Sequence, residues 1–137
     1  MDYFTSKRFL NTLPDWEKGH PPSGPLDDYL PRMQALLQRL DHPQQHYTSI
    51  IVGGTNGKGT VASLLAALLQ ATGHRVGLYT SPHLHTLRER ICLNGHIPGK
   101  DLWAESTAQL YDKSRDFEAE GYGVYSKFEA LTALAAR

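Results

Sequence analysis

Tyr47-Thr48-Ser49-Ile50-Ile51-Val52 runs directly into Gly53-Gly54-Thr55-Asn56-Gly57-Lys58-Gly59-Thr60, and the apolar stretch from Val61 to Ala71 follows. The first six residues are short and β-branched, which predicts a buried strand. The glycine-rich octapeptide predicts a tight turn. The stretch 61–72 predicts a helix, with Leu64, Leu65, Leu68 and Leu69 on one face and Gly73 as its C-terminal cap. A glycine-rich turn between a strand and a helix is the setting that a phosphate loop needs. Glycines let backbone N–H groups approach an anion, and the helix dipole adds positive potential at the same place. Lys58 would reach the β- and γ-phosphates, and the Thr60 hydroxyl would ligate Mg²⁺. The strict pattern G-x-x-x-x-G-K-S/T is not met, because Val52 stands at its first glycine and Gly59 separates Lys58 from Thr60. On spacing alone, a plain glycine-rich turn with a solvated lysine stays open beside the nucleotide loop.

Working outward, Arg75-Val76-Gly77-Leu78-Tyr79-Thr80 predicts a second strand. Strand, loop, helix and strand imply parallel pairing with a right-handed crossover. Upstream, Leu26, Tyr29, Leu30, Met33, Leu36, Leu37 and Leu40 form one helical stripe. Asp27 and Asp28 suit its N-terminus, Pro31 its first turn, and Asp41-His42-Pro43 its end. A short helix is expected over 2–13, and Gly19-His20-Pro21-Pro22-Ser23-Gly24-Pro25 reads as a loop. Downstream, Arg90-Ile91-Cys92-Leu93 predicts a short strand ending at the turn Asn94-Gly95. Helices are expected from about 100 to 118 and from about 126 onward, the latter opened by the capping box Ser126-Lys127-Phe128-Glu129. Two parallel strands make a poor independent core. The expectation is therefore an α/β fold, the start of a parallel-sheet P-loop ATPase domain that is incomplete in this chain.

The 137 residues have 14 Lys plus Arg against 14 Asp plus Glu, and the formal net charge is zero. No clustered basic excess marks a nucleic-acid partner. The longest apolar stretch is too short for a membrane span, and the first eight residues do not read as a signal peptide. A soluble cytoplasmic protein is the expectation. A single cysteine, Cys92, excludes an internal disulfide framework.

Four ordered segments carry a resemblance. Gly54-Thr55-Asn56-Gly57-Lys58-Gly59-Thr60 resembles the loop G-T-N-G-K-G-S/T of the folylpolyglutamate synthase and dihydrofolate synthase family, within the Mur ligase superfamily. Gly77-Leu78-Tyr79-Thr80-Ser81-Pro82-His83-Leu84, then Glu89-Arg90-Ile91 with Asn94-Gly95, then Phe128-Glu129-Ala130-Leu131-Thr132-Ala133-Leu134-Ala135 resemble further segments of that family, in order. The resemblance runs from about Leu26 to Ala135. Gly53 stands where the family often has Ala.

The resemblance implies an ATP-dependent ligase with a Mur ligase-like fold, which joins L-glutamate to dihydropteroate or folate through an acyl phosphate. It implies ATP binding by Thr55, Asn56, Gly57, Lys58, Gly59 and Thr60, with Lys58 acting on the transferred phosphate. It implies Mg²⁺ on Ser81 and Thr60, and a pteroate or folate site touched by Asp27, Asp28, Arg90, Phe128 and Glu129. For the last five, structural roles as helix-start acids, loop packing and capping box stay open. The implied organisation is an N-terminal segment (1–25) and the first part of the ATP-binding domain (26–137), with the family's C-terminal domain absent and a monomer at full length. The family's acidic and histidine metal ligands and its modified lysine are not matched, so this chain alone is expected to be inactive. Another P-loop ATPase, a Mur-type amino-acid ligase, or a non-catalytic nucleotide- or folate-binding relic are the alternatives.

Overall fold

A computed structural model describes residues 1–19 and 29–137. Asp27 and Asp28 lie outside the described residues. The elements are α1 (Tyr3–Thr12), α2 (Tyr29–Arg39), α3 (Lys58–Ala71), β1 (Gly77–Tyr79), β2 (Ile91–Leu93), α4 (Lys100–Lys113) and α5 (Lys127–Ala135), with short 3-10 turns between some of them. They fall into two compact units. One comprises Met1–Thr48 and Lys100–Arg137, the other Ser49–Gly99. No helix among the described residues is long and apolar enough to cross a membrane.

The first unit is helical. α1 packs on α4 and α5, and both α2 and α4 pack on α5. Leu10, Leu36, Leu110, Phe117 and Leu131 form its fully buried centre. The Asp2 carboxylate caps α1 by accepting the Thr5 N–H at 2.8 Å. α2 ends where Asp41 and His42 turn left-handed, and Lys113 Nζ donates to Asp41 Oδ2 at 2.6 Å. The buried side of α2 is not the whole predicted stripe. Arg32, Ala35 and Leu36 are buried while Leu30 stays exposed. The helix is rotated because Arg32 is drawn inward by Glu129 of α5, to which Nε and Nη2 donate at 2.8 and 3.0 Å. The expected capping box of α5 is present. Ser126 Oγ accepts the Glu129 N–H at 3.1 Å, and Glu129 Oε2 accepts the Ser126 N–H at 2.7 Å. α4 stops at Lys113 rather than near 118, and the chain from Ser114 folds back on an aromatic cluster. In it, Phe117 stacks on Tyr122 with ring centroids 4.7 Å apart.

The second unit does not show the expected parallel pairing among the described residues. The helix α3 forms as expected, starting three residues earlier at Lys58 and packing on β1. The segment 47–52 is in no strand, since a strand needs a partner and no ladder among the described residues includes it. The second predicted strand is trimmed to β1, and its neighbour is β2, antiparallel, with Leu78 opposite Cys92. The Asn94-Gly95 turn, left-handed at both residues, follows β2. The Asn94 side chain ties back to β1's approach by accepting the Val76 N–H at 2.8 Å. The α/β class holds. The sheet among the described residues is two-stranded and antiparallel.

Candidate nucleotide loop and aromatic cleft

Gly54 and Gly57 have φ of +139° and +75°, a region that L side chains rarely adopt. Gly57 is the N-cap of α3, and its carbonyl accepts the Val61 N–H at 2.9 Å as the first helical bond. A glycine cap has no side chain to satisfy the first-turn amides. The N–H groups of Lys58, Gly59 and Thr60 therefore face the loop without a side-chain cap. Lys58 Nζ folds over the loop and donates to Gly54 O at 2.6 Å and Thr55 O at 3.3 Å. Residues 53–60 are exposed throughout, and a Cβ at Gly53, Gly57 or Gly59 would meet nothing within 4 Å. Open backbone donors, a dipole end and an ammonium at one place fit an anion.

Ser81 lies two residues past β1 and is exposed, as is Thr60. Both offer hydroxyl oxygens, the donor type that Mg²⁺ takes. No cluster of three His, Cys, Asp or Glu side chains among the described residues is placed to hold a metal. The Ser81-Pro82 peptide is cis. Arg90 is buried and its Nε donates to His83 Nδ1 at 3.0 Å. A guanidinium can only donate, so Nδ1 is the acceptor and the imidazole proton sits on Nε2. His83 was quoted in the sequence pattern without a role, and nothing in its spacing pointed to Arg90.

The loop between them hangs on Glu89. Its carboxylate accepts backbone N–H groups from Leu84 at 2.9 Å, His85 at 3.1 Å and Thr86 at 2.7 Å. These bonds, led by Leu84, hold its pKa below the ordinary 4.5, against a smaller opposing effect of desolvation. A lowered carboxylate pKa stabilises the folded loop fully above 4.5, and that contribution is lost as pH falls through the lowered value. The expected outcome is that the amides of Leu84, His85 and Thr86 keep their exchange protection down to pH 4.5 and lose it below. In Glu89→Gln this pH dependence disappears. Protection of these amides that starts to fall at pH 6 would contradict the assignment.

In the helical unit a cleft of about 330 Å³ is lined by Trp16, Tyr29, Leu30, Met33, Phe128 and the α5 start. Of the expected substrate residues the structure brings two to this cleft, Phe128 and Glu129. Arg90 belongs to the other unit. Glu129 is committed. Its two oxygens accept from Arg32 and from the backbone and hydroxyl of Ser126, with Arg32 and Glu129 side chains 3% and 7% exposed. Phe128, by contrast, is exposed. Trp16 is a wall that sequence reading missed. It sits on a 3-10 turn capped by Asp15, whose carboxylate accepts the Glu17 N–H at 3.1 Å. That turn is fastened to α5 because Lys127 N–H donates to Pro14 O and Lys127 Nζ to Asn11 Oδ1 and Asp15 Oδ2. The Trp16 and Tyr29 rings lie 5.6 Å apart.

Loop and helix define the class first: an α/β module with a glycine-rich, lysine-bearing junction at a helix N-terminus. No family model matches the chain. It is 36% identical over 106 residues to a dihydrofolate synthase/folylpolyglutamate synthase of Bacillus subtilis, covering 77% of this chain and 25% of that protein. It is 47% identical over 111 residues to a folylpolyglutamate synthase of Lacticaseibacillus casei, covering 75% and 24%. A solved FPGS-AMPPCP-folate complex superposes with a TM-score of 0.85 at 30% identity, covering 99% of this chain and 32% of that one. The chain belongs to the folylpolyglutamate synthase/dihydrofolate synthase family. It spans about a quarter to a third of the length of the relatives it matches.

Proposed function

We propose that the chain supplies the nucleotide loop and part of the pteroate site of an ATP-dependent ligase. That ligase joins L-glutamate to dihydropteroate or folate. The observation that carries the reading is the open first turn of α3, with its glycine cap and Lys58 beside it. The family supports it, since a relative of the same fold is described as binding AMPPCP and folate together.

In this reading Thr55, Asn56, Gly57, Lys58, Gly59 and Thr60 hold the phosphates of ATP. The Lys58 ammonium leaves its carbonyl partners to neutralise charge on the transferred γ-phosphoryl group. Thr60 and Ser81 hydroxyls would hold Mg²⁺, which would supply further charge neutralisation. The substrate carboxylate attacks the γ-phosphorus of ATP, ADP leaves as the γ-phosphorus–bridging-oxygen bond breaks, and the carboxylate becomes an acyl phosphate, because a free carboxylate has no good leaving group. The amine of glutamate then displaces phosphate and forms the amide. Phe128, with Trp16 and Tyr29, offers flat apolar walls to a pterin ring. Arg90, buried and donating to His83, remains a proposed contact to substrate. Glu129 acts through packing, holding Arg32 and the α5 start in place. Asp27 and Asp28 remain proposed contacts to a pterin amine. The family's acidic and histidine metal ligands and its modified lysine are not matched within these residues, and in this reading the chain alone binds its ligands without ligating them.

The test is a nuclear magnetic resonance titration of this chain with Mg-AMPPCP and, separately, with pteroate. AMPPCP is expected to shift the amides of 54–61, and pteroate the indole N–H of Trp16, the latter lost in Phe128→Ala. No shift at either place at millimolar ligand would remove the reading.

A further inference from the structure

Lysine is almost never buried unless it is paired, yet Lys127, the first residue of α5, is 7% exposed. The proposed ligase chemistry makes no use of it. Its ammonium donates to Asn11 Oδ1 at 2.9 Å and to Asp15 Oδ2 at 3.4 Å, and its backbone N–H donates to Pro14 O at 2.8 Å. Asn11 ends α1, and Pro14 and Asp15 lead into the 3-10 turn that carries Trp16. A turn of three residues holds no shape by itself. Trp16 is 45% exposed, so burial does not fix its ring. One main-chain bond would leave the turn free to pivot, and the two ammonium bonds remove the pivot.

Asp15 precedes Trp16, and Lys127 precedes Phe128. The ion pair therefore joins the chain one residue before each of two exposed aromatic rings that line the cleft. Asp15 divides its carboxylate between two tasks. Oδ1 caps the Trp16 turn by accepting the Glu17 N–H, and Oδ2 meets the ammonium. One side chain thus shapes the turn and ties it to α5. We propose that Lys127 is a positioning residue of this cleft, which holds the Trp16 ring at the spacing from Phe128 that admits one flat heteroaromatic ring. Walls ordered in advance spare the ligand the cost of ordering them. That the ring is a pterin rests on the functional reading above. The positioning of Trp16 does not.

The test compares this chain with Lys127→Met combined with Asp15→Asn. The pair removes both charges together, so none is left buried alone, and asparagine still caps the turn. The melting temperature is expected to stay within about 5 °C. The order parameter of the Trp16 indole N–H, from ¹⁵N relaxation, is expected to fall from about 0.85 to below about 0.6. The Kd for pteroate is expected to rise at least about tenfold, with the Mg-AMPPCP shifts at 54–61 unchanged. Trp16→Ala should weaken pteroate by a similar factor, and adding the two substitutions to it should cost no more, because Lys127 acts through Trp16. A role in stability alone would give additive losses. Asn11→Ala removes one ammonium bond and keeps the ion pair, so it should loosen the indole to a lesser degree, and it decides the matter should the double variant not fold. An indole that stays ordered would overturn the proposal, as would additive losses or an unchanged pteroate affinity. If the unsubstituted chain binds no pteroate while the indole still loosens in the variant, the functional reading falls and the positioning of Trp16 stands.

Discussion

In a chimera in which this chain replaces the matching part of the Lacticaseibacillus casei folylpolyglutamate synthase, Lys58→Ala is expected to lower glutamate ligation by about 10²- to 10³-fold, the usual loss when one positioned charge-stabilising donor is removed. The effect falls on the chemical step as much as on ATP binding, because charge on the transferred group is greatest in the transition state. The fold is expected to be untouched. Lys58 is exposed, and its bonds to Gly54 O and Thr55 O are surface bonds within a four-residue loop. Lys58→Arg would retain the charge but not its reach or its point-like geometry, so it should recover little of the loss. Steady-state rates with ATP, a folate and glutamate check this, with circular dichroism as the control on folding. Ligation within about twofold of the unsubstituted chimera would show that the lysine is merely solvated and would return the loop to a plain turn.

The second large effect is on stability. Glu129→Ala is expected to destabilise the helical unit by about 3–5 kcal/mol, since it leaves the Arg32 guanidinium buried without its counter-charge. It also strips the Ser126 N–H and hydroxyl of their acceptor, so the start of α5 loses its cap. Replacing both partners by apolar residues, Arg32→Met with Glu129→Leu, should recover most of the loss, because the desolvated charge is then gone. Urea unfolding followed by circular dichroism measures all three variants. If Glu129→Ala costs less than about 1 kcal/mol, the pair is not a structural anchor, and Glu129 returns as a residue free to meet substrate. The two carboxylates that the sequence placed in familiar patterns thus differ in role. Glu129 locks two helices together, and Glu89 shapes a loop by gathering three backbone amides.

What could be read from the residues alone is what neighbours in the chain decide. The 3.6-residue stripe, the Pro31 first turn and the Ser126 box were enough to locate α2 and α5. The glycine-rich octapeptide and its lysine were enough to locate the loop and the helix after it, though not that helix's first turn. Ordered motifs were enough for the family. Tertiary structure alone decided which strands pair, because a partner is a distant segment. β1 met β2 antiparallel, and the β-branched segment 47–52 has no ladder partner among the described residues. It also decided that Arg32 turns inward, since a buried guanidinium needs acceptors for its N–H groups, here the Glu129 carboxylate 97 residues further along the chain. Trp16 reached the cleft for the same kind of reason, drawn there by Lys127 through Asn11 and Asp15. Capping and periodicity are short-range and written in adjacent residues. Pairing, burial of charge and the walls of a cleft depend on which distant side chains arrive together.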